Sequence, residues 1–109
     1  MILIAGILHA RANTLAELLA LSREHVLRSR AEPGCIEHGV AIDADDPLRL
    51  VFFERWLDAT AIGAHFKVPA SREFVKRAAA LTDQVPALAM FDATELPLGG
   101  AQRSLSSAR

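Results

Sequence analysis

Two hydrophobic periods alternate along this chain of 109 residues, and their order predicts an α+β fold of the ferredoxin-like βαββαβ kind. Three observations carry that expectation. The chain opens on a short, β-branched-rich apolar run. Two alternating segments in the middle are joined by the turn-forming Ala44-Asp45-Asp46-Pro47. Helical spacing fills the stretches after the first and third strands. This order gives a four-stranded antiparallel sheet with two helices on one face.

Each element has a local reason. Residues 2–9 read as a strand buried on both faces. Leu15, Leu18, Leu19, Ser22 and Val26 recur at helical spacing, and Thr14 with Glu17 matches a capping box, where hydroxyl and carboxylate each satisfy a first-turn backbone donor. Arg28 and Arg30 suit the negative end of that helix, and Glu32-Pro33-Gly34 stops it. Leu27, on the otherwise polar face, has no evident use within the chain. From Cys35 to Asp43 the residues alternate, with Ile36, His38, Val40 and Ile42 on one face and Cys35, Glu37, Gly39 and Ala41 on the other. Short carboxylates and a proline then close a hairpin. Leu48 to Leu57 is the strongest strand, presenting Leu50, Phe52, Glu54 and Trp56 together. Asp58 is placed to cap a second helix carrying Ala61, Ile62, His65 and Phe66. Pro69 interrupts or kinks it, and Ser71 to Asp83 resumes it with Phe74, Ala78 and Leu81 inward. Val85 to Thr94 reads as the last strand. The folded domain is expected over residues 1–96 and a flexible tail over 97–109.

Composition narrows the function classes. The length suits one domain, and 51% hydrophobic with 23% charged residues excludes intrinsic disorder. A formal charge of -1 lacks the basic footprint of a nucleic-acid binder. The apolar start has no basic region before it and falls far short of the roughly 20 residues that span a bilayer, so no membrane partner is expected. The single Cys35 rules out a disulfide framework and suits a reducing, cytoplasmic setting. His9, His25 and His38 are scattered over separate elements, so no metal is expected. The sheet face away from the helices is apolar enough that leaving it wet would expose a large patch, and pairing with a second copy, a homodimer, is the remedy.

Between Glu32 and Phe74 the chain reads Glu-Pro-Gly-Cys-Ile, Asp-Asp-Pro, Val-Phe-Phe-Glu-Arg-Trp-Leu-Asp, Ala-Ile-Gly-Ala-His-Phe, Pro and Phe. This resembles the antibiotic biosynthesis monooxygenase family, including its small bacterial quinol-monooxygenase-like members. The specific part is Glu54-x-Trp56 coupled to His65, nine residues past the tryptophan. The resemblance implies a dimeric α/β barrel in which two sheets face each other. It implies oxidation of a small phenolic or quinol-type aromatic by O2, with no metal, flavin or other cofactor. Haem degradation is not implied, because the positions that carry it in that branch hold Ile7, His65 and Val75 here.

Such a reaction asks the protein to bind a flat apolar ring, exclude water and manage one or two protons. Trp56 and Phe52, two apart on one strand face, are expected to form the flat wall, with Ile62 as a further substrate-binding residue. His65 is the natural proton acceptor, its ordinary pKa lying near 6.5. Glu54 shares the face of Phe52 and Trp56 and would orient His65 or hold a substrate hydroxyl. Each has a plainer reading: His65 as a satisfied boundary histidine, Trp56 and Phe52 as core, Glu54 as a structural ion pair with Arg55 nearby. Cys35 reads as a small buried filler. The competing functions are a non-catalytic ligand-binding or stress-associated dimer on the same fold, and an isomerase or decyclase on the related dimeric barrel. An RNA-recognition module is disfavoured by the carboxylate and missing glycine in Leu50-Val51-Phe52-Phe53-Glu54.

Overall fold

The structure is a computed structural model and describes residues 1–107. It runs β1 (Ile2–His9), α1 (Leu15–Ser29), β2 (Cys35–Ile42), β3 (Arg49–Trp56), α2 (Ala59–Lys67), α3 (Pro69–Leu81) and β4 (Ala87–Asp92), with a short 3-10 turn at Leu105–Ser107. The four strands form one antiparallel sheet in the order β2-β3-β1-β4. This is the expected α+β ferredoxin-like arrangement.

The expected second helix is two helices. Val68 is extended between them and Pro69 opens α3, where a missing N–H costs nothing because first-turn donors have no helical partner. Asp58 caps α2 as expected, its Oδ1 accepting from Ala61 N at 2.8 Å. The capping box at Thr14 does not form. Thr14 Oγ1 instead accepts from Arg11 N at 2.9 Å and donates to Leu81 O at 2.7 Å, so the hydroxyl ties the start of α1 to the end of α3.

β2 departs from simple alternation. Its register with β3 slips between Cys35 and Glu37, a β-bulge with Ile36 as the extra residue. Downstream, His38, Val40 and Ile42 oppose Glu54, Phe52 and Leu50 on the helix side. Upstream, the bulge turns Cys35 to that same side, opposite Trp56, and not to the face of Glu37 where strict alternation puts it.

The interior divides in two. Leu8, Leu18, Leu21, Val26, Leu50 and Phe52 form the larger cluster under α1 and α3, each fully buried side chain contributing about 1.5–3 kcal/mol. A smaller cluster of Ile4, Trp56 and Ile62 lies under α2, with Cys35 packed against it. The far sheet face carries Leu3, Ile7, Val51, Phe53 and Phe91, the last 52% exposed. Arg55, also on that face, pairs with Glu37 at 2.7 Å and donates to Ser106 Oγ at 3.1 Å. The expected flexible tail therefore touches the sheet at Ser106, and its residues 108–109 lie outside the described residues. Leu27 is exposed. Among the described residues no helix is long and apolar enough to cross a membrane.

Candidate active site

Between the sheet and α2–α3 lies a cavity of about 510 Å³, in the size range of small-molecule sites. Its apolar walls are Gly6, Leu8, Phe52 and Leu88 from the sheet and Phe66, Phe74, Val75 and Ala78 from the helices. Gly6 keeps the floor low: a Cβ there would meet Leu88 Cδ1 at 3.4 Å and Phe52 Cβ at 3.5 Å. Helices α2 and α3 leave β4 uncovered, so Leu88 and Met90 remain exposed. The polar groups on the wall are few: His25, Glu54, His65 and Ser71 deep inside, with Arg72 and Lys76 on α3.

Of the expected site residues, His65, Glu54 and Phe52 line this cavity. Trp56 and Ile62 do not. Trp56 is 0% exposed and Ile62 3%, both packed with Ile4 beneath the wall. The strand pattern put Trp56 on the correct face, but α2 closes over that end of β3. Its indole instead serves the site from below. Trp56 Nε1 donates to Glu54 Oε1 at 2.9 Å, and its ring lies 4.5 Å from that of His65.

The structure also corrects the reading of the histidines as scattered. His25 from α1, His38 from β2 and His65 from α2 converge, with one ring nitrogen of each within 4.8 Å of the others. His38 is fully buried, its Nε2 3.1 Å from Glu54 Oε1. His25 stacks flat on Phe74, with ring centres 4.1 Å apart. The sequence held a signal for two of these: His38 stands on the apolar face of β2, and His25 falls one turn after Ser22 on the buried face of α1.

Partners outside the cavity set the protons. Glu32 Oε1 lies 2.9 Å from His65 Nδ1. A carboxylate only accepts, so Nδ1 carries hydrogen and, in the neutral ring, Nε2 keeps a lone pair. His25 is arranged the opposite way. Arg28 Nη2 lies 3.1 Å from its Nδ1, and a guanidinium only donates, so the hydrogen of the neutral ring sits on Nε2. Burial first, then the neighbouring His38, His65 and Arg28, push the His25 pKa down to about 3, against the opposing pull of Glu54. The ring is therefore neutral at ordinary pH. Burial alone would raise the Glu54 carboxyl, but His38, the Trp56 N–H and His65 outweigh it and hold the group below the usual carboxylate range.

Glu32 reaches His65 because of the turn that follows α1. Gly34 has φ +81°, and a Cβ there would lie 2.5 Å from Ala61 Cβ on α2. Only glycine lets the turn take that conformation and press against the helix carrying His65. Glu32 is a site residue that sequence reasoning treated as part of a helix stop and of the family-like Glu-Pro-Gly-Cys stretch, with no role at the imidazole.

A family model described as antibiotic biosynthesis monooxygenase matches residues 1–77. The chain belongs to this family. It is 34% identical over 76 residues to the uncharacterized protein sll1783 of Synechocystis sp. (strain ATCC 27184 / PCC 6803 / Kazusa), covering 70% of this chain and 52% of that protein. The chain thus spans about half the length of the curated relative it matches. Among solved structures, one described as an antibiotic biosynthesis monooxygenase superposes with TM-score 0.80 at 26% identity, covering 87% of this chain and all of the other. Rv0793 from Mycobacterium tuberculosis superposes with TM-score 0.78 at 24% identity, covering 93% of this chain and 98% of its own. The family name is that of monooxygenases, and the architecture is the one these structures share.

Proposed function

We propose that this protein is a monooxygenase that oxidises a small phenolic or quinol-type aromatic with O2, with no resident cofactor. The observation that carries the reading is a single apolar cavity into which His65 offers a lone pair and His25 an N–H. His65 Nε2 takes the proton of a ring hydroxyl, and the resulting phenolate is far more reducing than the phenol. His25 Nε2–H donates to the phenolate oxygen, and a fixed donor in a water-poor site stabilises developing charge strongly. Glu54, ionised, accepts from a second ring hydroxyl. Phe52, Phe66 and Phe74 give the ring apolar walls. A quinol supplies all four electrons. One oxygen atom enters a ring carbon, the product leaves as the hydroxyquinone, and the other atom leaves as water.

We further propose that the protein is a cytoplasmic homodimer closing a barrel through the open sheet face, supported by the apolar side chains that β1, β3 and β4 present there. The deciding experiment is oxygen uptake by the purified protein with a panel of quinols and anthrones. Uptake above background, with label from 18O2 in the ring product, is expected. No uptake with any of them, or an unaltered rate in His65→Ala, overturns the reading. Saturable binding without uptake would point to the ligand-binding function on the same fold.

A further inference from the structure

We propose that His25, His38 and His65 form a binding site for one divalent first-row transition-metal ion, such as Zn2+ or Co2+, with Glu54 as the adjoining carboxylate. Three imidazoles from three separate elements, all at least nine-tenths buried, bring ring nitrogens within 4.8 Å of one another. Imidazole is the ligand these ions favour, at about 2.0–2.1 Å. Movement of under about 1 Å per ring would bring three nitrogens to that distance around one centre.

His38 makes the strongest case. It is 0% exposed, and its Nδ1 has no hydrogen-bond partner among the described residues. A buried polar group left this way costs about 1–3 kcal/mol, and an ion would engage its lone pair. The outer arrangement also fits. Glu32 holds His65 Nδ1, as carboxylates hold ligating imidazoles from behind, and this leaves Nε2 directed inward. Glu54 Oε1, 3.1 Å from His38 Nε2, brings a negative charge to the ion. Arg28 engages His25 Nδ1, but the same Nη2 also donates to Ala70 O at 3.1 Å, so the guanidinium keeps a partner if His25 shifts its proton and turns to the ion. The adjoining cavity leaves room for water or a small ligand in a further coordination position.

This inference is independent of the oxidation proposed above, although the two share side chains. An ion on His65 occupies the lone pair that would take the phenolic proton, so metal loading is expected to silence that turnover.

The test is titration of the chelator-stripped full-length protein with Co2+. Visible ligand-field absorption should rise to one equivalent per chain and vanish when Zn2+ is added. His38→Ala and His25→Ala should each weaken binding at least about tenfold, while His9→Ala, on the opposite sheet face, should bind as the parent does. Absence of the absorption, or identical titrations in both cluster variants, overturns the proposal. If the cluster variants do not fold, the parent decides: Zn2+ but not Mg2+ should raise its melting temperature by preferential binding to the folded state, and no rise overturns the site. Oxygen uptake is no part of these readouts, so an inactive protein that binds cobalt still supports the metal site.

Discussion

Glu32 and His65, 33 positions apart in the chain, meet at 2.9 Å between Oε1 and Nδ1, and this contact decides which nitrogen of the imidazole faces the cavity. Glu32 is absent from the wall of that cavity. It acts on a substrate only through the histidine. In Glu32→Gln, kcat should fall about 10–100-fold, as for other outer partners of functional imidazoles, while KM stays close to that of the parent. Steady-state kinetics separate the two constants. A change confined to KM would remove Glu32 from the positioning role.

Removal of His65 itself should be more severe. General-base contributions are typically about 10²–10⁴-fold, and His65→Ala is expected to lose oxygen uptake in that range. Its melting curve, measured alongside, should show a folded protein, because the ring borders a cavity and its loss enlarges a space already present.

Stability should depend on pH through His25. The folded protein keeps this ring neutral down to about pH 3, whereas the unfolded chain protonates it near 6.5. Between those values the unfolded state binds the extra proton, so its stabilising contribution is complete above pH 6.5 and is lost as pH falls toward 3, by up to about 1.4 kcal/mol per pH unit. Glu54 adds to the loss only below its ordinary value of 4.5. Urea denaturation at pH 7, 6 and 5 should show falling stability, and His25→Gln should flatten that slope. Equal stability of the parent at pH 7 and pH 5 would contradict the assignment.

Trp56→Phe tests the support beneath the site. It removes the N–H that reaches Glu54 Oε1 and leaves a buried carboxylate with His38 as its remaining close partner. A loss of about 1–3 kcal/mol is expected, or roughly 4–8 °C in melting temperature for each kcal/mol in a domain near this size. An unchanged melting temperature would show that the indole N–H contributes nothing.

Gly34→Ala tests the turn. The positive φ and the 2.5 Å approach to Ala61 should together cost more than about 1 kcal/mol. Because the turn carries Glu32, kcat should drop as well. Full stability and full activity in this variant would show that the turn does not hold the Glu32–His65 contact.

The fold was legible because period and turn chemistry agree in almost every element. The alternation of β3 located its inner face, Asp58 announced the start of α2, and Pro69 marked the break before α3. Depth was not legible. Trp56 and Phe52 share a face, yet Phe52 borders the cavity and Trp56 lies beneath Ile62, because only the sheet order and the path of α2 determine which is roofed over. Convergence of His25 with His38 was hidden for a similar reason: it requires α1 to lie across β2, a relationship no local spacing encodes. Thr14 shows the limit of a local motif. Its hydroxyl matched a cap, but the Leu81 carbonyl, 67 positions away, claimed it.

The bulge at Ile36 bears on how relatives of this chain are to be compared. Upstream of it, inside and outside exchange relative to a plain count by twos from His38. An alignment that leaves no gap there against a relative without the bulge would equate Cys35 with an outward-facing residue and shift the counterpart of Glu32 out of phase with the imidazole it serves. Anyone transplanting this pocket into another scaffold must therefore conserve the spacing between Glu32 and His38, not only the residues at either end.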